Sequence, residues 1–247
     1  MSAVYDGIGV GYADQRRPDP RWERTIHVAL GDARTLVNVG AGTGSYEPRD
    51  HATVAIEPSP VMLAQRPRGS APAVQGVAED LPFRDGAFDA SLAILTVHHW
   101  ADATRGLAEL RRVARRHVIL TWDPDAFADF WLVRDYLPEW YERESSLATL
   151  AMISATFGDP TIMSLPVPAD CSDGFGGAYW RRPAAYLDPR VRASISGLAL
   201  LDQARVDSAL TRLATDLERG RWHERNAGIL ELSELDVGYR LVVADTT

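Results

Sequence analysis

A doubly wound α/β fold is what this sequence predicts, and three observations predict it. Apolar strand patterns alternate with helical ones from residue 22 to residue 122, as parallel strands joined by crossover helices require. Residues 88–97 form a nearly continuous apolar run, the mark of a central strand covered on both faces. Between the first two strands lies Val37-Asn38-Val39-Gly40-Ala41-Gly42-Thr43-Gly44-Ser45. A glycine-rich turn of this kind leads from a strand into a ligand-binding crevice.

The elements follow in order. Trp22, Ile26, Ala29 and Leu30 share one helical face, which predicts a helix ahead of a strand over 35–39. A second strand is expected over 53–57, ending at Glu57, and Ser59 is placed to cap a helix that starts with Pro60. A short third strand covers 73–78, and the run 88–97 is the fourth. A helix over 102–116 turns Leu107, Leu110 and Val113 inward. It ends in Arg111, Arg112, Arg115 and Arg116, where cations favour the carbonyl end of the helix dipole. A fifth strand is expected over 117–122.

Beyond Trp122 the pattern loosens. Aromatic-rich helical segments fill 124–157, a strand is expected over 162–168, a helix over 202–219 and a last strand over 237–244. No repeat, low-complexity tract or linker interrupts the 247 residues, and one α/β domain of that length is ordinary. The expected organisation is one domain: residues 1–122 as cofactor core, 123–236 as lid and substrate-side insertions, 237–247 as final strand.

Composition excludes several classes. A net charge of −8 argues against a nucleic-acid partner. One cysteine, Cys171, excludes an intrachain disulfide framework and an all-cysteine metal site, and no metal is expected. No apolar run approaches a membrane span, and the N-terminus lacks the charged and apolar regions of a signal peptide; a cytoplasmic protein is expected. All 26 basic residues are arginine. Without lysine there is no P-loop and no Schiff-base chemistry.

The glycine turn lets the backbone approach a ligand closely, and a carboxylate ending the next strand, Glu57, is placed to accept the hydroxyls of a ribose. A nucleoside-containing cofactor follows. Gly44 stands one position earlier than the third glycine of a dinucleotide fingerprint, so the neighbouring motifs decide. These are Val77-Ala78-Glu79-Asp80-Leu81-Pro82-Phe83, Phe88-Asp89 and Leu95-Thr96-Val97-His98-His99-Trp100.

On these residues the chain resembles the class I S-adenosylmethionine-dependent methyltransferases, of the methyltransferase type 11-like, actinobacterial small-molecule type. The likeness covers residues 5–122. It implies a Rossmann-like, seven-stranded, mostly parallel sheet with helical lid insertions, and S-adenosyl-L-methionine as cofactor. It implies that the glycine loop (Asn38, Gly40, Ala41, Gly42, Gly44) lies against the methionine part, and that Glu57, followed by Pro58, binds the ribose. Ala78, Glu79 and Asp80 would flank the adenine. Thr96 and His99 would lie beside the methionyl group, and Tyr12 with Arg17 would cover the amino-acid end. Val77 replaces an aspartate that in many relatives accepts the adenine amino group; Glu79 or Asp80 takes that contact, or backbone and packing hold the ring.

An activated methyl needs a nucleophile in line with it, a dry site and, for a protic acceptor, a base. His98, His99 and Asp123 are the candidate catalytic bases, each following the carboxyl end of a strand. The aromatic groups at 127–141 and 175–186 read either as core beneath the helices or as a lid over an apolar or aromatic acceptor. Cys171 reads as structural and Arg181-Arg182 as a helix-end pair. The expected function is methyl transfer to O, N or activated carbon of a small molecule by a monomer or homodimer. The alternatives are an S-adenosylmethionine-binding protein with another reaction or a regulatory role, and a nicotinamide enzyme.

Overall fold

The computed structural model describes residue 6 and residues 15–147 and 149–246. Nine strands are present among them: β1 (Thr35–Val39), β2 (Ala52–Glu57), β3 (Ala73–Gln75), β4 (Phe88–Ile94), β5 (Ala114–Trp122), β6 (Thr161–Ser164), β7 (Val167–Pro168), β8 (Glu234–Leu235) and β9 (Tyr239–Asp245). Seven of them form one sheet in the order β3-β2-β1-β4-β5-β9-β6. β1 to β5 pair in parallel, and β9 runs antiparallel between β5 and β6. The two-residue strands β7 and β8 pair separately.

Successive residues of the central strands enter opposite cores, because side chains alternate across a pleated sheet. Leu36, Leu92, Leu120 and Leu241 join one cluster with Trp22 and Ile26 of the helix Pro20–Ala29 and with Leu30 at its C-terminal cap. Val37, Ala93, Ile119 and Val242 join the other, with Leu107, Leu110 and Val113 of the helix Ala103–Val113. Helices on both faces make the sheet doubly wound. Asp19 caps the first of these helices and Ser59 caps Pro60–Ala64, each with proline at the first position.

Several boundaries differ from the sequence expectation. β4 stops at Ile94 because Leu95 adopts φ +50 and turns the chain into the 3-10 turn Val97–His99. The third strand keeps only residues 73–75. The helix ends at Val113, so Arg115 and Arg116 belong to β5 rather than to a helix end. Arg116 pairs across the sheet with Asp245 and donates to the Ala29 carbonyl, while Arg112 holds Glu109, Asp85 and the carbonyls of Leu81 and Phe83. The expected strand 162–168 divides between β6 in the main sheet and β7 in the small one.

The chain after Trp122 forms mostly short helices, with Gln203–Glu218 the longest, besides β6 to β9. Their aromatic side chains are core: Trp131, Trp180, Tyr186 and Trp222 are each at most 2% exposed. The indole of Trp131 donates to the Trp180 carbonyl, and that of Trp180 to the Val167 carbonyl. No helix among the described residues is long and apolar enough to cross a membrane.

Candidate active site

The order β2-β1-β4 places the carboxyl ends of β1 and β4 side by side where the winding reverses, and ligands of such folds sit in that crevice. The loop after β1 is shaped for close approach. Gly40, Gly42 and Gly44 have φ of +68, +53 and +92. A Cβ on Gly40 would lie 1.9 Å from Oγ1 of Thr96 on the neighbouring loop. The Gly40 and Ala41 amides donate to the Ile56 carbonyl, fastening the loop to β2.

Buried side chains brace this loop from below. Asn38 Nδ2 donates to Glu47 Oε1 (3.0 Å), and Arg66 donates to both Glu47 oxygens and to the Gly42 carbonyl. Arg66 and Glu47 are each only 6% exposed. Glu57 is 4% exposed and accepts from the amides of Gly42 (2.8 Å) and Ser59 (2.9 Å). Burial raises its carboxyl above the ordinary range, opposed by those two amides and by Arg66.

A cavity of about 410 Å3 opens above the loop. Asn38, Gly40, Ala41, Gly42, Glu57 and Pro58 line it from β1 and β2. Val77, Ala78 and Glu79 line it from beyond β3, and Leu95, Thr96, His99 and Trp100 from beyond β4. Glu79 also accepts from the Asp102 amide, which holds the adjoining turn. The residues fit an adenosyl cofactor. The Gly40 cradle leaves no room for a side chain, Asn38 Oδ1 is buried without a partner, and Glu57 sits at the tip of β2.

A second, inner cavity of about 60 Å3 adjoins the first, and Arg16 and Leu95 line both. Trp122, Phe127, Trp140, Phe175 and Tyr239 form its aromatic walls, with His98 and Glu144 as polar groups. Adjacent histidines thus face different spaces, His99 the large cavity and His98 the small one, their ring centroids 3.7 Å apart. Burial holds His98 well below its usual range, with a contribution from His99. Burial and Arg143 bring His99 down to about 4. Both imidazoles are therefore neutral near pH 7.

Several predicted site residues lie elsewhere. Gly44 and Asp80 are outside the cavity lining; Gly44 packs on Glu47 and Arg66, and Asp80 is exposed. Arg17 is exposed, and its neighbour Arg16 reaches the cavities instead. Tyr12 falls outside the described residues. Asp123 lines neither cavity, because its carboxylate caps the helix Pro124–Ala128 and pairs with Arg240. Cys171 is buried, and burial pushes its thiol up to about 12. Arg182 donates to the carbonyls of Cys171 and Ala178.

Sequence reasoning missed Arg16, Leu95, Glu47, Arg66 and Glu144. Arg16 binds Asp173 (Nε–Oδ1 2.6 Å), which is fully buried and also accepts from Tyr46 (2.8 Å) and the Gly174 amide. The two partners are 157 positions apart, and no local pattern announces such a pair.

Residues 37–121 match the methyltransferase domain model. A solved structure assigned as a methyltransferase from an antibiotic biosynthesis pathway of Anabaena variabilis shares 31% identity at a TM-score of 0.85. It covers 94% of this chain, which in turn covers 99% of that one. This chain belongs to the class I S-adenosylmethionine-dependent methyltransferases. Two curated relatives match in part. The rice 2-methyl-6-phytyl-1,4-hydroquinone methyltransferase 2 is 28% identical over 57% of this chain and 43% of its own length. The demethylmenaquinone methyltransferase of Mycolicibacterium vanbaalenii is 34% identical over 38% of each chain. The match spans less than half the length of either relative.

Proposed function

We propose that this methyltransferase acts on O, N or an activated carbon of a small apolar or aromatic molecule. The observation that carries this reading is the junction of the two cavities at Arg16 and Leu95, with His99 on one side and His98 on the other. The larger cavity is the cofactor site. There Glu57 takes the ribose hydroxyls, and Val77, Ala78 and Glu79 form the adenine wall. The loop at Gly40 to Gly42 meets the methionyl end, facing Thr96 and His99. When bound, S-adenosylmethionine supplies an activated methyl on a positive sulfonium.

The chain's own residues do the rest. The inner cavity seats the reacting end of the acceptor against aromatic faces, which favour a nearby cation and an apolar ring. The aromatic walls displace water from the reacting end, and the neutral histidines add no like charge beside the cofactor. Two relatives are named as methyltransferases of 2-methyl-6-phytyl-1,4-hydroquinone and of demethylmenaquinone, and the third is named from an antibiotic biosynthesis pathway. These support an aromatic acceptor. On this reading the protein works in the cytoplasm as a monomer or homodimer, without nucleic acid.

The test is release of S-adenosylhomocysteine from S-adenosylmethionine in the presence of phenols, hydroquinones and aromatic amines, read by mass spectrometry. Methylated product from at least one aromatic class is expected. Cofactor binding without turnover of any small molecule would favour a regulatory role.

A further inference from the structure

The inner cavity is bordered by a carboxylate that keeps one oxygen free. Glu144 lies on the helix Pro138–Ser145 and is 6% exposed. Its side chain borders the cavity, and Oε2 is buried without a hydrogen-bond partner. The Trp140 indole donates to the carboxyl group, and Arg143 Nε stands 4.0 Å from Oε1 on a 40% exposed side chain, yet neither satisfies Oε2. Several other polar walls are engaged. Arg16 is bound to Asp173, and the Tyr239 hydroxyl accepts from the Gly177 amide. A buried carboxylate oxygen without a donor is costly, so one that borders a cavity is a place for a donor carried by a ligand.

We infer that Glu144 receives the proton of a hydroxyl on an aromatic or enolic acceptor seated in the inner cavity. The inference rests on the methyltransferase reading and names its acceptor class. In the step, the acceptor O–H bond breaks and its proton moves to Oε2. The bonding pair stays on the acceptor oxygen, and the carboxylate becomes a neutral acid. The charge thus leaves Glu144 for the atom that methyl transfer consumes, and the acid returns its proton to water when the product departs.

Burial pushes Glu144 up to about 7, where a general base is most effective near neutral pH. His98, beside the same cavity, is held far below that and binds a proton more weakly. The inner cavity of about 60 Å3 is smaller than the roughly 150 Å3 that holds benzene in an apolar core. It therefore takes the hydroxyl-bearing edge of a ring rather than a fused system.

The test uses the full chain loaded with S-adenosylhomocysteine, titrated by calorimetry with phenol and with anisole, which lacks the donor. Wild type should prefer phenol by about tenfold or more, the strength of a hydrogen bond to a charged group. E144L should bring that ratio to near one, and E144Q, whose amide oxygen still accepts, should keep part of it. The absorbance of bound 4-nitrophenol should move toward the phenolate in wild type but not in E144Q. S-adenosylhomocysteine affinity, measured on every variant, verifies folding. Absence of phenol binding, equal affinity for both rings in wild type, or a preference unchanged in E144L would overturn the inference. Failure of wild type to bind S-adenosylhomocysteine would instead overturn the methyltransferase reading beneath it.

Discussion

The two cavities are built in opposite ways. The larger one is framed by backbone: strand ends, the positive-φ glycines Gly40 and Gly42, and amides fixed to Ile56 and Glu57. The smaller is made of side chains drawn from Arg16, Trp122, Trp140, Phe175 and Tyr239, positions spread over most of the chain. A backbone site tolerates little change and fits a cofactor that does not vary. A side-chain site is reshaped by substitution, and substrate choice resides there.

The largest expected effect belongs to the aromatic core of the chain after Trp122. Trp131→Ala removes a fully buried indole packed on Tyr186 and Trp222, and should cost about 3–5 kcal/mol of stability by chemical denaturation. Trp131 lines neither cavity, so cofactor affinity of the folded protein should stay within about twofold. A large loss of affinity would join the two halves into one unit.

Glu144 gives the next effect, through pH. Its carboxyl is raised from 4.5 to about 7 in the folded chain, so the folded state binds its proton more tightly than the unfolded state. The stabilisation is complete below the unfolded value and is lost as pH rises through 7. The histidines act with the opposite sign: His99 and His117, both lowered to about 4, lose stability as pH falls below 6.5. The difference between E144Q and wild type isolates the carboxyl. It should shift in favour of the variant by up to about 3 kcal/mol between pH 5 and pH 8, read from denaturant midpoints.

Within the backbone half, Gly40→Ala drives a methyl into Thr96 at a positive φ. S-adenosylhomocysteine affinity should fall by about a hundredfold, on the order of the strain at such a position. Affinity near that of wild type would mean that the loop moves freely.

This contrast also explains what the sequence revealed. The glycine loop, Glu57, and the residues after β3 and β4 are contiguous motifs, and Asn38, Ala78, Glu79, Thr96 and His99 all meet at one cavity. The inner cavity takes only Leu95 and His98 from a motif. Glu144 is one glutamate among helix residues, and Arg16 gains its place only through Asp173. Asp123 had the right position after a strand, yet helix capping and Arg240 claim its carboxylate. The end of β4 was misjudged because nothing in the run Ile94-Leu95-Thr96 signals that a leucine takes φ +50.

The most direct test of the account is a calorimetric titration of S-adenosylmethionine into wild type, Glu57→Ala and Trp131→Ala. One-to-one binding to wild type should persist in the tryptophan variant and weaken about tenfold or more in the glutamate variant, which loses charged hydrogen bonds. No binding to wild type, or equal weakening in both variants, would contradict a cofactor site built from strand ends alone.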